Sequence, residues 1–310
     1  MKSRRLKLDL SKLATEQQNP STLNLDTMSA LEIAHAINRE DQSVPEAVEK
    51  QLPQIAKAIE LVAESLSKGG RLIYVGAGTS GRLGALDASE IPPTFGISPK
   101  LIQHVMAGGD KALHSAVEDE EDSLNLGKKD IARRKPGAKD IVVGIAASGR
   151  TPYTLAALRY AKKKGAKTAA LVCNRNSPLE QAADMAIVID VGPEVLSGST
   201  RMKAGTAQKL VLNMISTGAM VRLGHVYGNS MVNVTPRNHK LRERGITILE
   251  KASGVTHKEA ARALKAAGWK VPVALVMLKT SSSKDQARKS LKAADGQVRR
   301  AIESILGTHI

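Results

Sequence analysis

The sequence predicts an α/β fold, a doubly wound parallel sheet flanked by helices, with a small helical domain at its C-terminal end. Three observations predict it. Short apolar runs of strand length alternate with helix-compatible segments between Arg71 and Val191, the pattern of βαβ units. Two of these runs end in loops rich in Gly, Ser and Thr. After about Asn229 the strand signals fade, and residues 237–310 read as helical throughout.

Taken in order, residues 1–28 are polar and weakly periodic, an arm expected to be ordered only by contact with something else. From Ser29 to Ser67 apolar residues fall at helical spacing, with Pro45 and Pro53 as breaks or first-turn residues. Lys68-Gly69-Gly70 reads as a helix stop. Arg71–Val75 is the first strand, Gly76-Ala77-Gly78-Thr79-Ser80-Gly81-Arg82 its loop, and Leu83–Ser89 the following helix. Leu101–Met106, Asp140–Ala146, Thr168–Val172 and Ala186–Val191 are further apolar runs, with Pro152–Lys164 a helix among them. Thr200–Leu223 reads as one long helix. A boundary near 236 separates residues 1–236 from a helical domain, 237–310, broken near Gly254, Gly268 and Ser281–Ser283.

Composition bounds the function. In 310 residues, 42% hydrophobic and 25% charged content marks an ordered globule. Six aromatic residues leave an aliphatic core and too few platforms for stacking single-stranded nucleic acid. One cysteine, Cys173, excludes an intrachain disulfide and a Cys-rich zinc site. The N-terminus is basic, but no apolar run of signal-peptide length follows, and no stretch approaches 18 apolar residues. A cytoplasmic protein that engages neither membrane nor nucleic acid is expected. The net charge of +16 suits an anionic metabolite as well as a polyanion and does not choose between them. Residues 237–310 hold 16 Lys and Arg against 6 Asp and Glu, so most of the excess lies away from the glycine-rich loops.

Those loops are where chemistry is expected. In an open parallel sheet, ligands bind beyond the carboxyl ends of the strands. Gly76–Arg82 and Ala147-Ser148-Gly149-Arg150-Thr151 each combine glycines, hydroxyls and a helix start, which suits a phosphate group. The first loop is formally G-x-G-x-x-G, but the next apolar run lacks the acidic residue that a dinucleotide site places about 20 residues on. No G-x-x-x-x-G-K-[ST] motif is present.

Ser148-Gly149-Arg150-Thr151 after a buried strand resembles the phosphosugar loop of sugar isomerase (SIS) domains. Gly76–Arg82, Asp87-Ala88-Ser89-Glu90-Ile91-Pro92-Pro93-Thr94, Gly144–Tyr153, Gly192-Pro193-Glu194-Val195 and Gly205-Thr206-Ala207-Gln208-Lys209 resemble the N-acetylmuramic acid 6-phosphate etherases. The resemblance spans roughly residues 14–305 and implies a single SIS-type domain with a small C-terminal domain. A phosphosugar-sensing SIS protein need not keep both of the glutamates discussed next. A DNA-binding SIS regulator needs an N-terminal helix-turn-helix module that residues 1–70 do not resemble.

The resemblance implies removal of D-lactate from C3 of N-acetylmuramic acid 6-phosphate by elimination and then water addition, with two carboxyl groups and no metal or other cofactor. Glu90 and Glu121 match the catalytic positions, Glu90 as the acid that protonates lactate and Glu121 as the base at C2. The Ser148 and Thr151 hydroxyls and the Gly149 and Arg150 amides are expected on the 6-phosphate. Thr79 and Ser80 are expected on the sugar or phosphate side, with Ser199 and Thr200 as further contacts and Lys203 and Lys209 as weaker candidates. A homodimer is implied as well. The chain departs from the family where Asp119-Glu120 replace a usual Gly-Ala, where Ile91 replaces a common Cys, and where His239 replaces a usual Glu. If the Asp119 and Glu120 carboxylates face Glu121, they should raise its pKa.

Overall fold

The computed structural model describes residues 13–115, 117, 119–233 and 239–307. The chain divides into two compact units. One takes the chain up to Ala88 together with Lys100–Ile215, and the other takes Ser89–Pro99 and the chain from Ser216 on. The expected boundary near residue 236 lies outside the described residues, as does the arm before residue 13.

In the first unit the apolar runs become five parallel strands: β1 Leu72–Gly76, β2 Ile102–Met106, β3 Ile141–Ala146, β4 Lys167–Val172 and β5 Met185–Val188. Their order is β2-β1-β3-β4-β5. Leu72 pairs with Ile102 on one side and Ile141 on the other. The chain therefore steps outward from β1 in both directions, and the switch point lies between β1 and β3. Every residue of β1 and β3 is buried, which is why these strands are continuously apolar rather than alternating.

Helices cover the sheet. α1 (Ala30–Asp41) opens with a Ser29–Glu32 capping box. α2 (Ser43–Glu49) and α3 (Leu52–Ser67) follow, with Pro45 and Pro53 in their first turns. The Lys68-Gly69-Gly70 stop behaves as read: Gly69 adopts φ +74° and the Gly70 amide returns to the Ser65 carbonyl. α4 (Gly78–Phe95), α5 (Lys111–His114), α6 (Leu124–Arg133), α7 (Pro152–Lys163), α8 (Pro178–Ala182) and α9 (Lys203–Arg222) complete the order. Ile73, Val142, Ala170, Tyr153 and Leu158 share one core beneath α7; each buried aliphatic side chain contributes about 1.5–3 kcal/mol.

α4 is longer than the Leu83–Ser89 segment the sequence predicts, for two reasons. The glycine loop is itself the first helical turn, closed by the Gly81 amide on the Ala77 carbonyl. A Cβ on Gly76 would lie 2.8 Å from the Gly81 nitrogen, so the strand-to-helix turn closes only with glycine there. At its other end α4 runs through Pro92 and Pro93. Two amides are missing there, and the Thr94 hydroxyl donates to the Glu90 carbonyl at 2.7 Å.

Residues 13–28 are ordered by the chain's own loops. The Ala14 amide donates to Asn174 Oδ1 at 2.9 Å, Asn174 Nδ2 to Thr15 Oγ1 at 3.1 Å, and Thr22 Oγ1 to the Val195 carbonyl at 2.8 Å.

The second unit holds α10 (His239–Ser253), α11 (His257–Ala266), α12 (Val271–Thr280), α13 (Lys284–Ala293) and α14 (Val298–Leu306). Its core is aliphatic, with Leu249, Leu264, Val271, Leu275 and Ile302 buried together. The breaks fall where Gly254, Gly268 and Ser281 take positive φ. A further break, at Gly296, went unread in the sequence.

Candidate active site

The two glycine- and hydroxyl-rich loops leave the carboxyl ends of β1 and β3, which are hydrogen-bonded neighbours with Gly76 opposite Ile145. They therefore flank the switch point of the sheet, where a ligand is expected in this topology.

In the second loop Gly149 stands at φ +64°, and a Cβ there would collide with the Ser177 side chain. Only glycine fits. The Gly149 amide donates to the Ala146 carbonyl at 3.0 Å and the Arg150 amide to Ser148 Oγ at 3.2 Å. Both amides expected on a phosphate thus have partners within the loop. Arg150 Nε is buried with no partner, while Ser148 and Thr151 are half-buried. Thr151 precedes Pro152 at the start of α7, and its hydroxyl is not used to cap the helix. The next amide, that of Tyr153, donates to the Glu121 carbonyl at 3.0 Å.

In the first loop Thr79 is half-buried and Ser80 buried. Ser80 Oγ donates to Gln208 Oε1 of α9 at 2.9 Å. A Cβ on Gly205 would lie 3.5 Å from Thr79 Cγ2 and 3.5 Å from the Thr200 carbonyl oxygen. The structure therefore brings Thr79, Ser80 and Thr200 to one place through the small Gly205 and through Gln208. Ser199 adjoins them, its carbonyl accepting the Met202 amide.

The start of α9 is not free for an anion. The fully buried Glu194 accepts the amides of Lys203 at 2.8 Å and Ala204 at 2.9 Å. Burial pushes its carboxyl up, against the pull of these amides and of Lys203. Lys203 itself is 3% exposed and pairs with Glu40 at 2.6 Å, which commits it to the fold. Lys209 is exposed on the helix surface.

Glu90 is exposed on α4, in the segment Ser89–Pro99 that belongs to the second unit. One turn earlier, the buried Asp87 accepts Tyr74 Oη and Asn213 Nδ2, each at 2.8 Å, which fixes α4 to β1 and α9. Glu121 is exposed in the turn before α6, in the first unit. Its neighbour Glu120 turns its carboxylate to the Gly108 amide at 2.9 Å. Sequence reasoning missed the roles of Asp87, Glu194 and Gln208. The only signal was their place inside motifs that matched a family as blocks.

Among the described residues no group of three or more His, Cys, Asp and Glu could hold a metal, and no helix is long and apolar enough to cross a membrane.

Hydroxyl-rich loops at the switch point of a five-stranded parallel sheet define an SIS-domain protein. Residues 54–162 match the profile of the glucokinase regulatory protein N-terminal SIS domain and residues 136–217 that of the SIS domain. The phosphoheptose isomerase of Francisella tularensis shares this fold, with a TM-score of 0.50 and 21% identity over 62% of this chain and 98% of that one. The chain is 51% identical over 295 residues to the N-acetylmuramic acid 6-phosphate etherase of Yersinia pestis (95% of this chain, 100% of the relative). It is 49% identical over 298 residues to that of Clostridium beijerinckii (96% and 98%). The chain belongs to the N-acetylmuramic acid 6-phosphate etherase family.

Proposed function

We propose that this protein cleaves the D-lactyl ether of N-acetylmuramic acid 6-phosphate to N-acetylglucosamine 6-phosphate and D-lactate, a step of cell-wall amino-sugar recycling. The observation that carries the reading is identity of about one residue in two over nearly the whole of both chains, with Glu90 and Glu121 both in place.

An alkoxide is a poor leaving group, so direct displacement at C3 is slow. Opening the sugar to its aldehyde makes the C2 proton acidic. Glu121 takes that proton, the electron pair forms the C2–C3 double bond, and the C3–O bond breaks. Glu90 delivers a proton to the departing lactate oxygen. Water then adds its oxygen at C3 and a proton at C2. One carboxylate must start ionised and the other protonated.

Ser148, Thr151 and the Arg150 guanidinium hold the 6-phosphate, with the Gly149 turn setting their spacing. The buried, unpartnered Arg150 Nε supports placing the guanidinium rather than the loop amides first. Thr79, Ser80, Ser199 and Thr200 line the sugar. The protein acts in the cytoplasm as a homodimer.

The test is incubation with N-acetylmuramic acid 6-phosphate in D2O. D-lactate should appear together with N-acetylglucosamine 6-phosphate carrying deuterium at C2. No lactate overturns the reading, and lactate without deuterium overturns the elimination.

A further inference from the structure

We propose that Asn174 is a positioning residue that sets the loop carrying Ser199 and Thr200 in register with the loop Ala147–Thr151. The inference rests on the reading of these loops as the sugar and phosphate contacts of the etherase site. Asn174 acts through other residues and needs no contact with the substrate.

Asn174 lies two residues past β4, at the carboxyl end of the sheet. Its side chain is buried, and both ends of the carboxamide are engaged. Oδ1 accepts the Ala14 amide at 2.9 Å. Nδ2 donates to the Ala147 carbonyl at 3.0 Å and to Thr15 Oγ1 at 3.1 Å. A turned carboxamide would set N–H against N–H and oxygen against oxygen, so these partners fix its orientation. An aspartate lacks the two donors, and a glutamine is one methylene too long.

The three contacts join two pieces of the site. On one side, Ala147 directly precedes Ser148, and its carbonyl also accepts the Cys173 amide at 2.9 Å. The phosphate loop therefore keeps a tie to the end of β4 when Asn174 is truncated. On the other side, the turn Ala14–Glu16 is bound to the loop before Thr200. The Thr15 carbonyl accepts the Gly198 amide at 3.1 Å. Ser197 Oγ donates to the Glu16 carbonyl at 2.9 Å and the Gln17 carbonyl at 3.3 Å. The N-terminal turn and this loop thus form one piece, and Glu194 caps α9 just beyond it.

Asn174 adds a bond from that piece to the root of the phosphate loop. Truncating it leaves each piece with its other ties and loosens the placement of one against the other. Free phosphate needs one loop, whereas a phosphosugar must meet both at once. The loss therefore falls on the sugar contacts, where small misplacements are costly.

The variants are Asn174→Ala, Thr15→Val, Thr15→Ser and the double variant Asn174→Ala/Thr15→Val. Each is titrated with N-acetylglucosamine 6-phosphate and with inorganic phosphate, and lactate release and melting temperature are measured alongside. Asn174→Ala should weaken the phosphosugar about fivefold and raise KM alike, with kcat and phosphate affinity within about twofold. Thr15→Val should weaken the phosphosugar about threefold, and Thr15→Ser, which keeps the hydroxyl, should restore it. The double variant should bind no worse than Asn174→Ala, because both changes remove the same bond. Any of three results overturns the proposal: equal losses for phosphosugar and phosphate, a lowered melting temperature with unchanged phosphosugar affinity, or Thr15→Ser as weak as Thr15→Val. Should Asn174→Ala fail to fold, the Thr15 pair decides alone. An inactive wild type overturns the etherase reading, while the titrations still judge Asn174. A wild type that does not bind both ligands overturns the reading of the loops and this proposal with it.

Discussion

The main-chain carbonyl of Glu121 accepts the amide of Tyr153 at 3.0 Å. Tyr153 is the second residue of α7, and Ser148–Thr151 lie just before that helix. A residue at the candidate base position and a loop suited to phosphate are thus joined by one backbone bond. Tyr153 is fully buried and its hydroxyl donates to Asp130 Oδ2 of α6 at 2.9 Å. Burial, with Asp130 behind it, pushes the phenol far up, so Tyr153 stays a neutral donor at any physiological pH.

Because that bond uses the carbonyl, Glu121→Gln leaves it intact. Glu121→Gln and Glu90→Gln should each lower lactate release by at least a thousandfold, roughly the scale of general acid–base catalysis. Phosphosugar affinity, read by isothermal titration, should stay within about threefold. Residual turnover above a hundredth of wild type refutes a two-carboxylate scheme.

Gly149→Ala forces a side chain onto φ +64° and into Ser177. The backbone term alone is about 1–2 kcal/mol, and the loop must shift to relieve the contact. Binding of N-acetylglucosamine 6-phosphate should weaken at least tenfold. Gly137→Ala, with no atom within 4 Å of the added methyl and an ordinary φ, is the control and should bind normally.

Lys203→Met tests whether that lysine serves the ligand or the fold. Its partner Glu40 is 19% exposed at the side chain and would lose its cation, keeping only neutral donors such as the Ser21 hydroxyl at 3.0 Å. Removing one member of such a pair costs about 3–5 kcal/mol. Denaturant melts should show that loss while phosphosugar affinity per folded molecule holds. A stable variant with lost affinity would return Lys203 to the binding site.

Acid should weaken the fold through Asp140. Burial raises this carboxyl, but Arg71, paired at 2.6 Å, and the Gly137 and Arg71 amides outweigh burial and hold it below the usual range. A depressed carboxyl stabilises the fold fully above its unfolded pKa, near 3.9, and the contribution fades as pH falls through the folded value. Asp140→Asn should therefore cost about 2–4 kcal/mol at pH 7 and progressively less below pH 4. Equal destabilisation at pH 7 and pH 3 in urea melts would contradict this.

Much of the sheet was legible because its strands are buried on both faces. Ile141–Ala146 and Lys167–Val172 fall within a residue of the runs that predict them. Their order was not legible, since pairing across the switch point is a long-range property absent from any local pattern. The loops were legible from glycines and hydroxyls. The engagement of the Gly149 amide by Ala146, and of the α9 start by Glu194, was not. Local patterns count donors without revealing which are already satisfied. The Asp119-Glu120 pair reads in sequence as added negative charge beside Glu121, whereas the Glu120 carboxylate goes to Gly108.

β2 is an outer strand of the sheet, and outer strands invite pairing with other chains. Here the segment that carries Glu121 closes that opportunity. Arg134 Nη2 donates to the His104 carbonyl at 3.3 Å in mid-strand, and Glu120 takes the Gly108 amide just past its end. Side chains thus occupy an acceptor and a donor that an incoming strand would need. The segment from Glu120 to Arg134 therefore stands in the way of a sixth strand adding at the β2 edge.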